Sequence, residues 1–268
     1  MMKHVLTIAG TDPSGGAGVQ ADIKTFCAHG CYAMSVITAV VAQNTQGVME
    51  FEDVSPSLIE SQITAVFDDI SVDAVKIGMV SVPETIEIIG GWLRYYKASP
   101  VVLDPVMVAK SGHHLLNPKA VETLQRVLIP LATVVTPNIP EAEVLVGRSI
   151  KTFGEMEAAA KLIHLMGAKA VLIKGGHRTE DATDILFDGT KFHYYKGDRI
   201  ESTNTHGTGC SLSSAIASNL ANGMNLPVAV EKAKAYVYQG ILHAENIGKG
   251  HGPIHHFYEL YKNAGMVE

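Results

Sequence analysis

Apolar runs of strand length alternate with helical patterns from one end of this chain to the other. HVLTIAG (4–10) is a continuous apolar run, and VQADIKTFCAHG (19–30) follows with helical spacing and a closing Gly30. SVITAVV (35–41) reads as a second strand. LIESQITAVFDDI (58–70) puts Ile59, Ile63, Val66, Phe67 and Ile70 on one helix face. DAVKIGM (73–79), PVVLDPVM (100–107), TVVTPN (133–138) and AVLIKGG (170–176) read as further strands. ETIEIIGGWLRYY (84–96), a segment from Pro118 to about Leu128, and MEAAAKLIHLMG (156–167) read as the helices between them. DILFDGTKFHYYKG (184–197) is a hairpin turning at Asp188-Gly189, and PVAVEKAKAYVYQGILHAE (227–245) is a long helix near the end.

Alternation of this kind predicts a mostly parallel sheet covered on both faces, with ligands at the carboxyl ends of its strands. Those ends read Gly10-Thr11-Asp12, Gln43-Asn44, Gly78-Met79, Asp104-Pro105, Pro137-Asn138 and Lys174-Gly175-Gly176. No linker, low-complexity segment or repeat interrupts the pattern, so a single domain over 1–268 is expected. Composition narrows the function classes. The 268 residues are 47% hydrophobic and 18% charged, enough for a sizeable core and too little charge for disorder. A net charge of -6 argues against a nucleic-acid binder. The short apolar run at the start reads as neither a signal peptide nor a membrane span, and three cysteines make no disulfide framework. A cytoplasmic protein with reduced thiols is expected.

Five stretches carry candidate chemistry. In NTHGTGCSLSSAIASNL (204–220) a glycine turn runs into a helix that starts beside Cys210. Unpaired N–H groups and the helix dipole make Gly207, Thr208 and Gly209 suited to an anion, although an ordinary loop gives the same pattern. Cys210 is either a small buried apolar residue or a thiol whose pKa the helix start lowers. AGTDPSGGAGVQAD (9–22) has four glycines between strand and helix but lacks the lysine of a phosphate-binding loop. A dinucleotide site fits poorly, because the next strand ends in Gln43-Asn44 instead of an acid. VTPNIPEAE (135–143) places Asn138 and Glu141 three apart in a turn; Glu141 is also an ordinary first-turn acid. Asp104 ends a strand and is suited to Mg²⁺ or to a turn cap. Lys174 closes another strand before two glycines, as a phosphate partner or a surface lysine. The twelve histidines show no metal spacing and read as surface and loop residues. A glycine turn, two acids, a lysine and a candidate base on the strand ends of one sheet form the set of parts that phosphoryl transfer uses.

AGTDPSGGAGVQADIKTF, VVAQNTQGV, KIGM, VVLDPVMVAKSG, TPNIPEAE, KGGH and NTHGTGCS together closely resemble the hydroxymethylpyrimidine/phosphomethylpyrimidine kinases of thiamine biosynthesis. These kinases belong to the ribokinase-like superfamily. The resemblance implies a three-layer α/β/α sandwich, a homodimer, MgATP as donor, and two successive phosphorylations of 4-amino-5-hydroxymethyl-2-methylpyrimidine. It implies that Gly207 to Cys210 form the anion turn, with Cys210 where the superfamily usually carries an aspartate base. It implies Asn138 and Glu141 as the magnesium motif, Asp104 as the acid near metal and phosphates, and Lys174 as the lysine near the ATP phosphates. It places Ala17, Asp22, Gln43, Met79 and Val106 in the pyrimidine pocket, with Asp22 alternatively supporting the first helix. Residues 109–116, AKSGHHLL, are expected to form a lid. Pyridoxal kinase is the near alternative, and a non-catalytic nucleotide-binding regulator is the alternative from another class.

Overall fold

The structure is a computed structural model that describes residues 1–107, 118–176 and 182–267. The expected lid at 109–116 lies outside the described residues. Ten strands and nine α-helices are formed among the described residues. The strands are β1 (His4–Ala9), β2 (Tyr32–Ile37), β3 (Ala39–Asn44), β4 (Gly47–Asp53), β5 (Ala74–Ile77), β6 (Val101–Leu103), β7 (Val134–Val135), β8 (Val171–Ile173), β9 (Asp184–Phe187) and β10 (Phe192–Tyr195). The helices are α1 (Gly18–Ala28), α2 (Pro56–Phe67), α3 (Pro83–Tyr95), α4 (Pro118–Val127), α5 (Ile139–Val146), α6 (Phe153–Leu165), α7 (Thr208–Ala221), α8 (Leu226–Leu242) and α9 (Tyr258–Asn263).

The main sheet has the order β10-β9-β8-β7-β6-β5-β1-β2. Pairings from β2 through β8 are parallel, and β9 and β10 add an antiparallel edge. This is the three-layer arrangement expected of a ribokinase-like fold, with α1, α7 and α8 on one face and α2 to α6 on the other. Strand alternation explains the division. Leu6, Ile8, Val75, Ile77 and Leu103 point into one apolar core, whereas Val5, Ala74, Val102, Val134 and Leu172 point into a second core against Phe26, Leu212 and Ile216.

One expected strand divides into two. The run 35–41 breaks at Thr38, where the Thr38 N–H bonds the Ala9 carbonyl and Thr38 Oγ1 bonds the Met79 carbonyl at 2.8 Å. The chain leaves the main sheet there, and β3 pairs with β4 in a separate hairpin.

Candidate active site

The same alternation that builds the second core places the polar residues of the site. Two positions beyond Val5, Ala74, Val102, Val134 and Leu172 lie Thr7, Lys76, Asp104, Thr136 and Lys174. They form a polar row at the carboxyl ends of adjacent strands, on the face covered by α7. Lys76, Asp104 and Lys174 of this row and the start of α7 line a cavity of about 1190 Å³.

At the start of α7, Gly207 adopts φ 74°, and a Cβ there would overlap the Gly16 carbonyl. Only glycine fits such a contact in such a conformation. Gly207, Thr208, Gly209 and Cys210 line the cavity with the N-terminal turn of the helix. Orphan N–H groups and the positive dipole end make that turn attractive to anions.

Beside it stand Lys174, Asp104 and Glu141. Lys174 Nζ lies 2.8 Å from Asp104 Oδ1 and 3.9 Å from Glu141 Oε2. Thr136 Oγ1 also donates to Asp104 Oδ1, at 3.1 Å, while Asp104 Oδ2 has a long contact of 3.5 Å from Ser213 Oγ. Asn138 and Glu141 form a reciprocal cap on α5: Glu141 N–H donates to Asn138 Oδ1, and Asn138 N–H donates to Glu141 Oε2, both at 2.8 Å. The three-residue spacing is therefore used as a helix cap and also sets the Glu141 carboxylate into the cavity wall. Glu141 is 5% exposed, not the solvated acid its position alone suggests. Burial pushes its pKa up to about 7; Lys174 opposes the rise and the Asp104 charge adds to it. Burial works against the Lys174 ammonium, but Asp104 and Glu141 outweigh it and hold the Lys174 pKa above its ordinary value.

Ala17, Gln43, Met79 and Val106 also line the cavity. A register shift between Ala42 and Gln43 in the β3–β4 hairpin aims the Gln43 side chain. Its Nε2 has one long contact, 3.5 Å to the Thr11 carbonyl. Leu212, Val237 and Ile241 add apolar wall that the sequence reading left without a role.

Two expectations change. Asp22 is not among the residues that line the cavity, and it takes its alternative part in supporting the first helix. It is 0% exposed, and its carboxylate accepts from Lys76 Nζ at 2.9 and 2.8 Å, Thr7 Oγ1 at 2.6 Å and Ser214 Oγ at 2.7 Å. It ties α1 to β1, β5 and α7. Lys76, also 0% exposed, keeps its charge: burial works against it, but the charges of Asp22 and Asp104 and the hydrogen bond to Asp22 together hold its pKa above the ordinary value. The second correction concerns the Cys210 thiol. The helix start predicts a lowered pKa, but burial pushes it up to about 11; the Lys76 charge and the Gly18 N–H offset only part of that rise, and Asp22 and Asp104 add to it. At neutral pH the residue is a thiol, because removing the sulfur from water outweighs a partial charge at a helix end.

Lys76 and His206 also line the cavity, with Asp12 hydrogen-bonded behind His206, and the sequence reading gave none of the three a place there. A lysine inside the apolar run DAVKIGM was the available signal for Lys76. Asp12 is 0% exposed and its pKa is lowered to about 2: burial raises it, but hydrogen bonds from His206, Ser14 and Ala17 and the His206 charge outweigh that.

Comparison with known proteins adds an independent line. A family model described as phosphomethylpyrimidine kinase matches residues 12–255. A hydroxymethylpyrimidine/phosphomethylpyrimidine kinase of Rhizobium meliloti is 52% identical, over 98% of this chain and 100% of its own length. The crystal structure of a phosphomethylpyrimidine kinase from Clostridium difficile superposes with a TM-score of 0.81 at 49% identity, covering 89% of this chain and 99% of that one. An ADP complex of Bacillus subtilis pyridoxal kinase superposes with a TM-score of 0.89 at 37% identity, covering 96% and 98%. The fold is thus common to both kinds of kinase, and sequence identity favours the pyrimidine kinases.

Proposed function

The chain belongs to the phosphomethylpyrimidine kinase family, and from that premise we propose that it transfers the γ-phosphoryl group of ATP to hydroxymethylpyrimidine and then to phosphomethylpyrimidine, in thiamine biosynthesis. The observation that carries this reading is the convergence on one cavity of the anion turn, the Lys174–Asp104–Glu141 cluster and Cys210.

In the first transfer the hydroxymethyl oxygen bonds to the γ-phosphorus as the bond from that phosphorus to the β–γ bridging oxygen breaks. ADP leaves and the hydroxyl proton is released. In the second transfer a phosphate oxygen of the monophosphate attacks in the same place. Charge on the moving group is met by the N–H groups of Gly207 to Cys210 and by Lys174. Ala17, Gln43, Met79 and Val106 hold the ring; the Gln43 amide offers both a donor and an acceptor to an aminopyrimidine edge. Leu212, Val237 and Ile241 supply apolar surface suited to a nucleobase. Cys210 rests as a thiol and acts as a base only after it has lost the sulfur proton to solvent; that thiolate takes the hydroxyl proton late, when charge has already moved onto phosphate. A loose transition state asks little of a base, so positioning carries most of the rate.

Asp104 and Glu141 fit Mg²⁺. Two carboxylates face one lysine on the cavity wall, and all the donors are oxygens. Two carboxylates leave the remaining positions around such an ion to phosphate oxygens and water. When bound, Mg²⁺ neutralises charge on the phosphate oxygens. The reading also carries a homodimer in the cytoplasm. Val40, Met49 and Phe51 of the β3–β4 hairpin are exposed apolar surface that a second copy would cover, and no described helix is long and apolar enough to cross a membrane.

The test is coupled ADP release with the pyrimidine alcohol, its monophosphate and pyridoxal, run on the wild type and on Cys210→Ala. The expected pattern is turnover of both pyrimidines at kcat/KM at least about ten-fold above pyridoxal, with kcat in the variant reduced by about 10²-fold or more. No ADP with either pyrimidine would overturn the reading. A preference for pyridoxal would reassign the substrate, and an undiminished variant would remove Cys210 from the chemistry.

A further inference from the structure

Two glycine turns that the sequence singles out meet in the structure, and a pair of residues with no part in the mechanism above holds them together. The first turn, 12–18, carries Ala17 of the ring pocket and Gly18, whose N–H faces the Cys210 sulfur. The second, 205–210, carries the anion turn. They are joined by a hydrogen bond of 2.8 Å between His206 Nε2 and Asp12 Oδ2. An ionised carboxylate only accepts, so Nε2 carries the proton.

Asp12 is the hub of the first turn. Its Oδ1 accepts from Ser14 N–H at 2.9 Å and Ser14 Oγ at 2.7 Å; its Oδ2 accepts from Gly16 N–H at 3.0 Å, from Ala17 N–H at 2.7 Å and from His206. The one oxygen that fixes the Gly16 and Ala17 backbone is therefore the oxygen that fixes His206. The backbones also meet without slack. A Cβ on Gly16 would run into the His206 ring, and one on Gly207 would run into the Gly16 carbonyl. From the far side, His206 N–H bonds the Gly252 carbonyl at 3.0 Å, and His206 forms a parallel bridge with Pro253. His206 is joined to Gly207 through the chain, so the bond from its ring to Asp12 ties the anion turn to the first turn beside the direct Gly207–Gly16 contact.

We propose that Asp12 and His206 form a positioning pair that sets the separation between the ring-binding turn and the anion turn, and so controls turnover more than the binding of either substrate. The proposal rests on the kinase reading. In the kinase reading each substrate is held mainly at one of the turns, and without the His206–Asp12 bond the first turn keeps the Ser14, Gly16 and Ala17 bonds to Asp12 and the second keeps the bond from His206 N–H to Gly252. The attacking oxygen and the γ-phosphorus, however, are brought together only if the two turns are in register. Misplacement on the scale of an ångström costs on the order of 10²-fold in rate.

The test compares His206→Leu, which keeps bulk and loses the donor, with His206→Gln, which keeps an amide donor at similar reach. Turnover is read with the pyrimidine alcohol and ATP. Dissociation constants for the alcohol and for a non-hydrolysable ATP analogue are read separately by calorimetry. His206→Leu is expected to lose about 30- to 100-fold in kcat with both dissociation constants within about three-fold of wild type, and His206→Gln to recover to within about five-fold. The proposal is overturned if His206→Leu turns over within about three-fold of wild type, if folded His206→Gln is as slow as His206→Leu, or if the dissociation constants rise as far as kcat falls. Should His206→Leu not fold, His206→Asn, whose amide is too short to reach Asp12, is read against the same expectations. If neither folds while His206→Gln does, the pair is a folding element and the proposal fails. A wild-type chain that releases no ADP fails the kinase reading first and takes this proposal with it.

Discussion

Two lysine–carboxylate sites stand on the same polar row of the sheet, and they are built for opposite ends. Lys76 and Asp22 are matched one to one, with both side chains at 0% exposure, and the remaining capacity of Asp22 is met by Thr7 and Ser214. Lys174 faces two carboxylates, Asp104 and Glu141, and its side chain is 14% exposed on the cavity. The first site is closed and balanced. The second is open and short of positive charge, which is the condition for admitting a cation and a phosphate. A buried ion pair in a cavity wall is therefore not by itself a catalytic sign; the imbalance and the opening are what distinguish the working site.

Breaking the closed site should have the largest effect. Lys76→Met leaves the Asp22 carboxylate buried with two hydroxyl partners and no counter-charge. A loss of about 3–5 kcal/mol in unfolding free energy is expected from denaturant titration. A loss below about 1 kcal/mol would mean that the pair contributes nothing that methionine packing does not replace.

Lys174→Met should invert that pattern. The fold should lose about 1 kcal/mol or less, because Glu141 can take up a proton and Asp104 keeps its Thr136 and Ser213 contacts at the cavity wall, while kcat falls by about 10²-fold through loss of charge stabilisation at the phosphoryl group. Equal losses of stability in the two lysine variants would erase the contrast between the sites.

The smallest effect sharpens the open site through pH. Folding raises the Glu141 pKa from 4.5 to about 7, so between those values the folded chain holds a proton that the unfolded chain has released. Stability from this group is complete below about pH 4.5 and is lost as pH rises through about 7. Glu141→Gln should therefore gain about 1–3 kcal/mol relative to wild type between pH 5 and pH 8, measured by chemical denaturation. Mg²⁺ added at pH 8 should stabilise wild type and leave the variant unchanged. A pH-independent difference would place Glu141 in an environment that does not resist its charge.

What was legible in the sequence followed from local periodicity. Alternation in HVLTIAG, DAVKIGM and VLIKGG is enough to divide the two cores, and the polar residues that end those runs mark the cavity. What was not legible depends on partners far away in the chain. Asp22 looks like a pocket acid until Lys76, 54 positions on, is seen to close over it. The break at Thr38 is set by Ala9 and Met79. The Cys210 thiol obeys burial, which no local pattern reports, more than the helix end that is written beside it. His206 lies inside NTHGTGCS and reads from the sequence as one loop histidine among twelve, because its partner lies 194 positions earlier.

The protonated state of Cys210 bears on how the protein ages. Peroxides oxidise thiolates and largely spare thiols. Burial that pushes the Cys210 pKa up to about 11 keeps this sulfur protonated at pH 7, even though it is partly exposed on the cavity wall. Cys27, exposed on α1 and away from the cavity wall, stands in oxidant's path instead. Damage to this chain by mild oxidation should accordingly accumulate first at a site where it costs no activity, and the sulfur that faces the substrate should be among the last to be lost.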